Sequence, residues 1–135
     1  MKRVLILFGA VAAVIVSAAV FVVDSNIPPR ALTASRMQVL KRRVLQYARA
    51  HGELPRSLVD LPAIEGYDGG IRDGWRRTIL FEVSSNVVTF RSLGRDGAPG
   101  GSGDDTDIVR SFPARDAQGR WSDEVITWSE DTFRK

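Results

Sequence analysis

Between Leu93 and Ile108 the chain reads Leu-Gly-Arg-Asp-Gly-Ala-Pro-Gly-Gly-Ser-Gly-Asp-Asp-Thr-Asp-Ile, with five glycines and four aspartates in sixteen residues. Counting Arg95, this stretch has a net charge of −3. Carboxylates crowded into one short loop repel unless water or a counter-charge separates them. A hard divalent cation would supply that charge, and glycine lets the main chain turn tightly enough for carbonyl oxygens to join. Calcium takes roughly six to eight oxygens at about 2.3–2.6 Å, which carboxylates plus carbonyls provide, whereas magnesium keeps its waters and suits a wrapped loop less well. A solvated, turn-rich loop with no ion satisfies the same composition equally well.

Two known calcium loops can be held against the stretch. The helix–loop–helix motif, Asp-x-Asp-x-Asp-Gly with a late Glu, is not met. The β-roll motif Gly-Gly-x-Gly-x-Asp matches Gly100-Gly101-Ser102-Gly103-Asp104-Asp105, but it works by tandem stacking and occurs once here, with Asp107 where the roll wants an apolar residue. Other chemistry is scarce. The chain has no cysteine, which excludes disulfides, thiolate zinc sites and a cysteine nucleophile. Its one histidine, His51, precedes Gly52 at a predicted helix end, where a cation favours the helix dipole. No nucleophile elbow, zinc-protease pair or phosphate loop occurs. With little room for a catalytic cleft in the 112 residues after position 23, the chain reads as a non-enzyme without a small-molecule substrate.

The elements that must position the loop follow from periodicity and turn residues. Met37, Leu40, Val44, Leu45 and Ala48 recur at helical spacing, with Arg36, Lys41, Arg42, Arg43, Gln46 and Arg49 on the other face. Ser35 and Gln38 resemble a capping box, and Gly52 and Pro55 end the pattern, so an amphipathic helix is expected over 35–51 with a solvated basic face. Pro28-Pro29 marks a break before it. A helical turn is expected around Ser57–Leu61, and 66–74 is turn-rich. Thr78–Ser84 alternates, with Ile79, Phe81 and Val83 on one side, and Val87–Leu93 alternates with Val88 and Phe90 on one side. Ser85-Asn86 between them suits a hairpin turn. Ile108–Phe112 and Val125–Trp128 are shorter strand candidates. The fold class is therefore α+β: an amphipathic helix packed on a small antiparallel sheet.

Residues 4–23 hold only apolar residues apart from Gly9 and Ser17, preceded by Lys2 and Arg3 and closed by Asp24. Twenty such residues span about 30 Å as a helix, the thickness of a bilayer core. The flanking charges predict a cytoplasmic N-terminus with the rest outside. The rival reading is a cleaved signal peptide at Ser17-Ala18-Ala19, although Val20–Val23 prolong the run past that point. The remainder divides into a basic part, residues 24–95 with 12 basic and 7 acidic groups, and an acidic part, residues 96–135 with 5 and 9. Opposed halves do not make the single basic field of a nucleic-acid binder.

The loop resembles that of the major pseudopilin of bacterial type II secretion, within the type IV pilin-like group. Members carry Leu-Gly-x-Asp-Gly…Gly-Gly…Ala-Asp-Ile, and Leu93–Gly97, Gly100-Gly101 and Thr106-Asp107-Ile108 fit it without a gap. Leu45–Pro55 looks like that family's helix end followed by Gly-x-x-Pro, and Asp73-Gly74-Trp75 resembles its Asp-x-Trp before the hairpin. The likeness runs from residue 36 to residue 112. It implies a pilin-like fold with a structural calcium ion. Asp96, Asp107 and the Leu93 carbonyl would be ligands, with Asp104, Asp105 and Thr106, in the more variable part, as further candidate ligands. It also implies other pseudopilin or secretion-system subunits as partners, a homo-oligomeric filament, and residence in the bacterial inner membrane with the C-terminal domain periplasmic.

On this reading the organisation is an anchor at 1–23, a linker at 24–34, the pseudopilin-like domain at 35–112 and an extension at 113–135 with Trp121 and Trp128. The chain departs from the family in several places. No glutamate lies within 4–23, Gly9 is already inside apolar sequence, and Arg76 and Thr78 replace the Gly and Pro that follow Asp-x-Trp. A membrane-anchored adaptor with the same fold that does not polymerise is the alternative.

Overall fold

The computed structural model describes residues 27–65, 70–123 and 128. The anchor expected at 1–23, part of the turn-rich 66–74 stretch and residues 125–127 of the last strand candidate lie outside the described residues. Among the described residues, no helix is long and apolar enough to cross a membrane.

The apolar stripe 37, 40, 44, 45, 48 forms one face of helix α1 (Pro29–His51), and all five side chains are fully buried. The helix starts six residues before the Ser35 capping box, within the stretch expected as linker. Proline breaks a helix only from the inside. At the first position Pro29 loses no hydrogen bond and has its φ preset, with Pro28 extended before it (φ −56°, ψ 139°). Thr33 closes the first turn by donating its hydroxyl to the Pro29 carbonyl at 2.7 Å. The C-terminal expectation holds: Gly52 is left-handed (φ 77°) and its N–H reaches the Ala48 carbonyl at 2.8 Å. His51 Nδ1 lies 3.0 Å from the Tyr47 carbonyl and its ring stacks on Tyr47, so it serves the helix end.

After a 3-10 turn (Leu58–Asp60) capped by Ser57, strands β1 (Leu80–Ser84), β2 (Val87–Ser92) and β3 (Ile108–Pro113) form an antiparallel meander in the order β1-β2-β3. Ser85 takes the positive φ (53°) that a two-residue hairpin requires. Phe81 faces Phe90 and Val88 faces Phe112 across the ladders. Val88, Phe90 and Phe112 are fully buried against α1 with Ile79 and Leu58. Val83, opposite Val88 on edge strand β1, is 40% exposed.

Two expectations for the helix's basic face are corrected. Lys41 is 1% exposed, with its ammonium 4.6 Å from the centroid of the Trp128 ring. Trp128 in turn meets Phe112 (5.6 Å) and Phe90 (6.3 Å) edge-on, so the extension contributes to the core. An aliphatic stem beneath an aromatic cover explains how a lysine fits there. Arg36, Arg43 and Arg49 are not merely solvated. They donate to main-chain carbonyls of Arg72 and Asp73 (2.8 and 3.1 Å), Pro62 (2.7 Å) and Ser122 (2.6 Å).

Candidate cation-binding loop

The loop between β2 and β3 is wound around the backbone of Asp105. Gly94 (φ 68°) and Gly101 (φ 81°) both press on the Asp105 carbonyl, and a Cβ at either would lie 2.6 Å from that oxygen. The course is fixed by main-chain bonds from Arg95 N to Asp104 O (2.9 Å), Asp105 N to Ser102 O (3.0 Å) and Asp107 N to Gly100 O (3.2 Å). A 3-10 turn (Gly103–Asp105) carries the two adjacent aspartates. Glycine is needed here because the chain approaches itself too closely for a side chain.

The expected ligands have individual fates. Asp107 accepts the Gly100 N–H at 3.1 Å through Oδ1, and Asp96 accepts the Ala98 N–H at 3.0 Å through Oδ1. Asp104 is exposed, and Leu93 is half-buried at the loop's start. Asp105 is held through both oxygens by Arg95, at 2.9 and 3.2 Å. Hydrogen bonding to Asp105 and its charge, then the charges of Asp104 and Asp96, hold the Arg95 guanidinium above its ordinary pKa against some desolvation. Among the described residues no three acidic or histidine side chains converge on one point. A hard cation would therefore have to use the second carboxylate oxygens of Asp96 and Asp107 together with main-chain carbonyls. The oxygens suit such an ion in type.

Several residues that shape the loop carried no chemical flag in the sequence. Arg30, the second residue of α1, donates to the carbonyls of Gly103 (3.1 Å) and Thr106 (2.9 Å). Arg77 donates to the carbonyls of Gly94 and Arg95. Asp73, singled out only as part of Asp-x-Trp, is 1% exposed. Its Oδ1 accepts the N–H groups of Trp75 and Arg77, both at 2.9 Å, and its Oδ2 accepts the Ser92 hydroxyl at 2.7 Å. The Gly94 N–H reaches that same hydroxyl at 3.3 Å. Thr33 in α1 accepts the Gly74 N–H at 2.8 Å. The helix start, the Asp73 turn, the end of β2 and the loop are thus one connected polar unit. Among the described residues no buried side-chain nitrogen or oxygen lacks a partner.

The chain is 34% identical over 89 residues to a protein named Type II secretion system core protein G from Xanthomonas campestris pv. campestris, an alignment covering 57% of this chain and 62% of that relative. The resemblance read from the loop and its flanks therefore holds. The chain spans about three-fifths of that relative's length. No protein-family profile matches the chain, and no solved structure does.

Proposed function

We propose that this chain is a pseudopilin-type structural subunit of a type II secretion or related filament assembly. In this reading the 4–23 segment holds it in the bacterial inner membrane and the α+β domain is periplasmic. The carrying observation is the glycine-rich, aspartate-bearing loop set on a helix-and-meander domain, in a chain 34% identical to a type II secretion core protein. The role is architectural, and its partners are other secretion-system subunits or copies of itself.

The loop in this proposal takes one calcium ion. Asp96 and Asp107 are the carboxylate ligands and the Leu93 carbonyl is a main-chain one. Asp104 stands exposed at the edge of the site, and Asp105 is committed to Arg95. The ion supplies positive charge and ties the loop to the hairpin. At ten times its dissociation constant it adds about 1.4 kcal/mol. Arg30, Arg77 and Arg95 beside the loop lower the affinity by repulsion, so binding in about the 10⁻⁴–10⁻³ M range is expected.

The deciding experiment is cross-linking of the full-length chain in native membranes. Higher-order products containing secretion subunits or further copies support the assembly reading. The absence of glutamate from 4–23 favours the adaptor reading, in which only a monomer or a single heterologous partner is captured. Asp107→Ala should lower the melting temperature in calcium and change it little in chelator. Equal shifts in both conditions would remove the ion.

A further inference from the structure

We infer that Arg30, Arg77 and Arg95 are the loop's resident cations: their guanidinium groups hold its folded course without a divalent ion, so an ion adds to a formed loop and does not fold it. The oxygens they hold are of the kind a hard cation takes. Arg30 spans both sides of the 3-10 turn through the Gly103 and Thr106 carbonyls. The Gly103 carbonyl already takes the turn's own bond from the Thr106 N–H at 3.2 Å, and a carbonyl's second lone pair leaves room for a guanidinium donor there. Arg77 holds the Gly94 and Arg95 carbonyls at the loop's other end. It lies directly over Gly97, where a Cβ would stand 2.5 Å from its Nε. Arg95 neutralises Asp105 inside the loop. Glycine at 97 thus makes room for an arginine, which is a different task from letting carbonyls converge on a metal.

The consequence is an architecture in which the loop reports on the helix. Arg30 comes from the first turn of α1, 73 and 76 residues before its two acceptors. Displacing that turn withdraws the clasp and loosens the stretch carrying Asp104, Asp105 and Asp107. The inference rests on the pseudopilin reading only for the identity of the ion, because the clasps themselves are intramolecular.

The test is amide hydrogen exchange by NMR on the full-length chain in mild detergent, in excess chelator and again in millimolar calcium. The amides to follow are Arg95, Asp105, Thr106 and Asp107, with Val88 and Phe90 in the sheet as controls. In chelator the wild-type loop amides should stay protected. Arg30→Gln and Arg77→Gln should each speed their exchange by about tenfold to a hundredfold, the factor that follows from losing a hydrogen bond to a charged group, while the controls hold. Should a variant not fold, the wild-type measurement still decides. Loop amides that are unprotected in chelator and protected only by calcium would overturn the inference, as would unchanged loop exchange in both folded variants. Persistent protection with no calcium heat in calorimetry would instead leave the inference standing and defeat the calcium reading.

Discussion

Replacing Asp73 by alanine should be the most damaging single change available near the loop. The carboxylate is 1% exposed and takes three hydrogen bonds, from two backbone N–H groups and the Ser92 hydroxyl. Alanine orphans all three donors. A buried unsatisfied donor costs about 1–3 kcal/mol. The serine can rotate toward another acceptor and water can enter the vacated space, so the sum comes to about 3–5 kcal/mol. Small domains are stable by only about 5–10 kcal/mol, which makes this close to half of the total. Asp73→Asn separates shape from acceptor count. Its amide oxygen keeps both N–H bonds, and its NH2 can donate to the Ser92 oxygen, so about 1 kcal/mol is expected. The assay is urea unfolding of the full-length chain in mild detergent, followed by the fluorescence of its three tryptophans. Equal losses for the two variants, or a loss below about 1 kcal/mol for alanine, would refute the assignment of Asp73 as the acceptor that joins the turn to β2.

Other expectations follow from contacts of different kinds. Gly74→Ala would place a Cβ 2.1 Å from the Pro29 carbonyl oxygen, forcing backbone apart at the helix start. A loss of about 2–3 kcal/mol is expected, and a change within experimental error would contradict the packing. Gly52→Ala meets nothing within 4 Å and is strained only by its φ of 77°. Its cost should be about 1 kcal/mol, clearly below that of Gly74→Ala. Burial pushes the Lys41 ammonium below its ordinary pKa, whereas the unfolded chain keeps that proton to about pH 10.4. In the interval between those values the unfolded state binds more protons, so stability rises with pH; below it the contribution is constant. Lys41→Met should flatten that rise in urea midpoints as the pH climbs toward about 10.4, and parallel profiles for the two proteins would exclude the assignment.

What was legible in the sequence was local. The α1 stripe, the Gly52 stop, the Ser57 turn, the Ser85-Asn86 hairpin and β3 each declare themselves by period or by a turn residue, and each stands where expected. The helix start is not legible in the same way, because Pro28-Pro29 reads as a break unless one proline occupies the first helical position. Lys41 lies on the polar side of the pattern, and the distant Trp128 covers it. The glycines and aspartates of 94–107 marked the loop correctly. The arginines that hold it were invisible as such, since their acceptors are carbonyls that every residue possesses. Asp73 stood in a motif that placed it, but its three donors come from the turn and from β2, which no spacing rule joins.

That last property has a bearing on how such a domain tolerates mutational drift. Arg36, Arg43 and Arg49 fasten α1 to three separate segments through main-chain oxygens. These attachments do not themselves fix the residue type at the receiving positions, because any substitution leaves the carbonyl in place. For the attachments, change is restricted on the helix alone. Paired substitutions would therefore leave little trace between these segments, and distant homologues could keep the same attachments while sharing almost no identity outside α1 and the glycine turns.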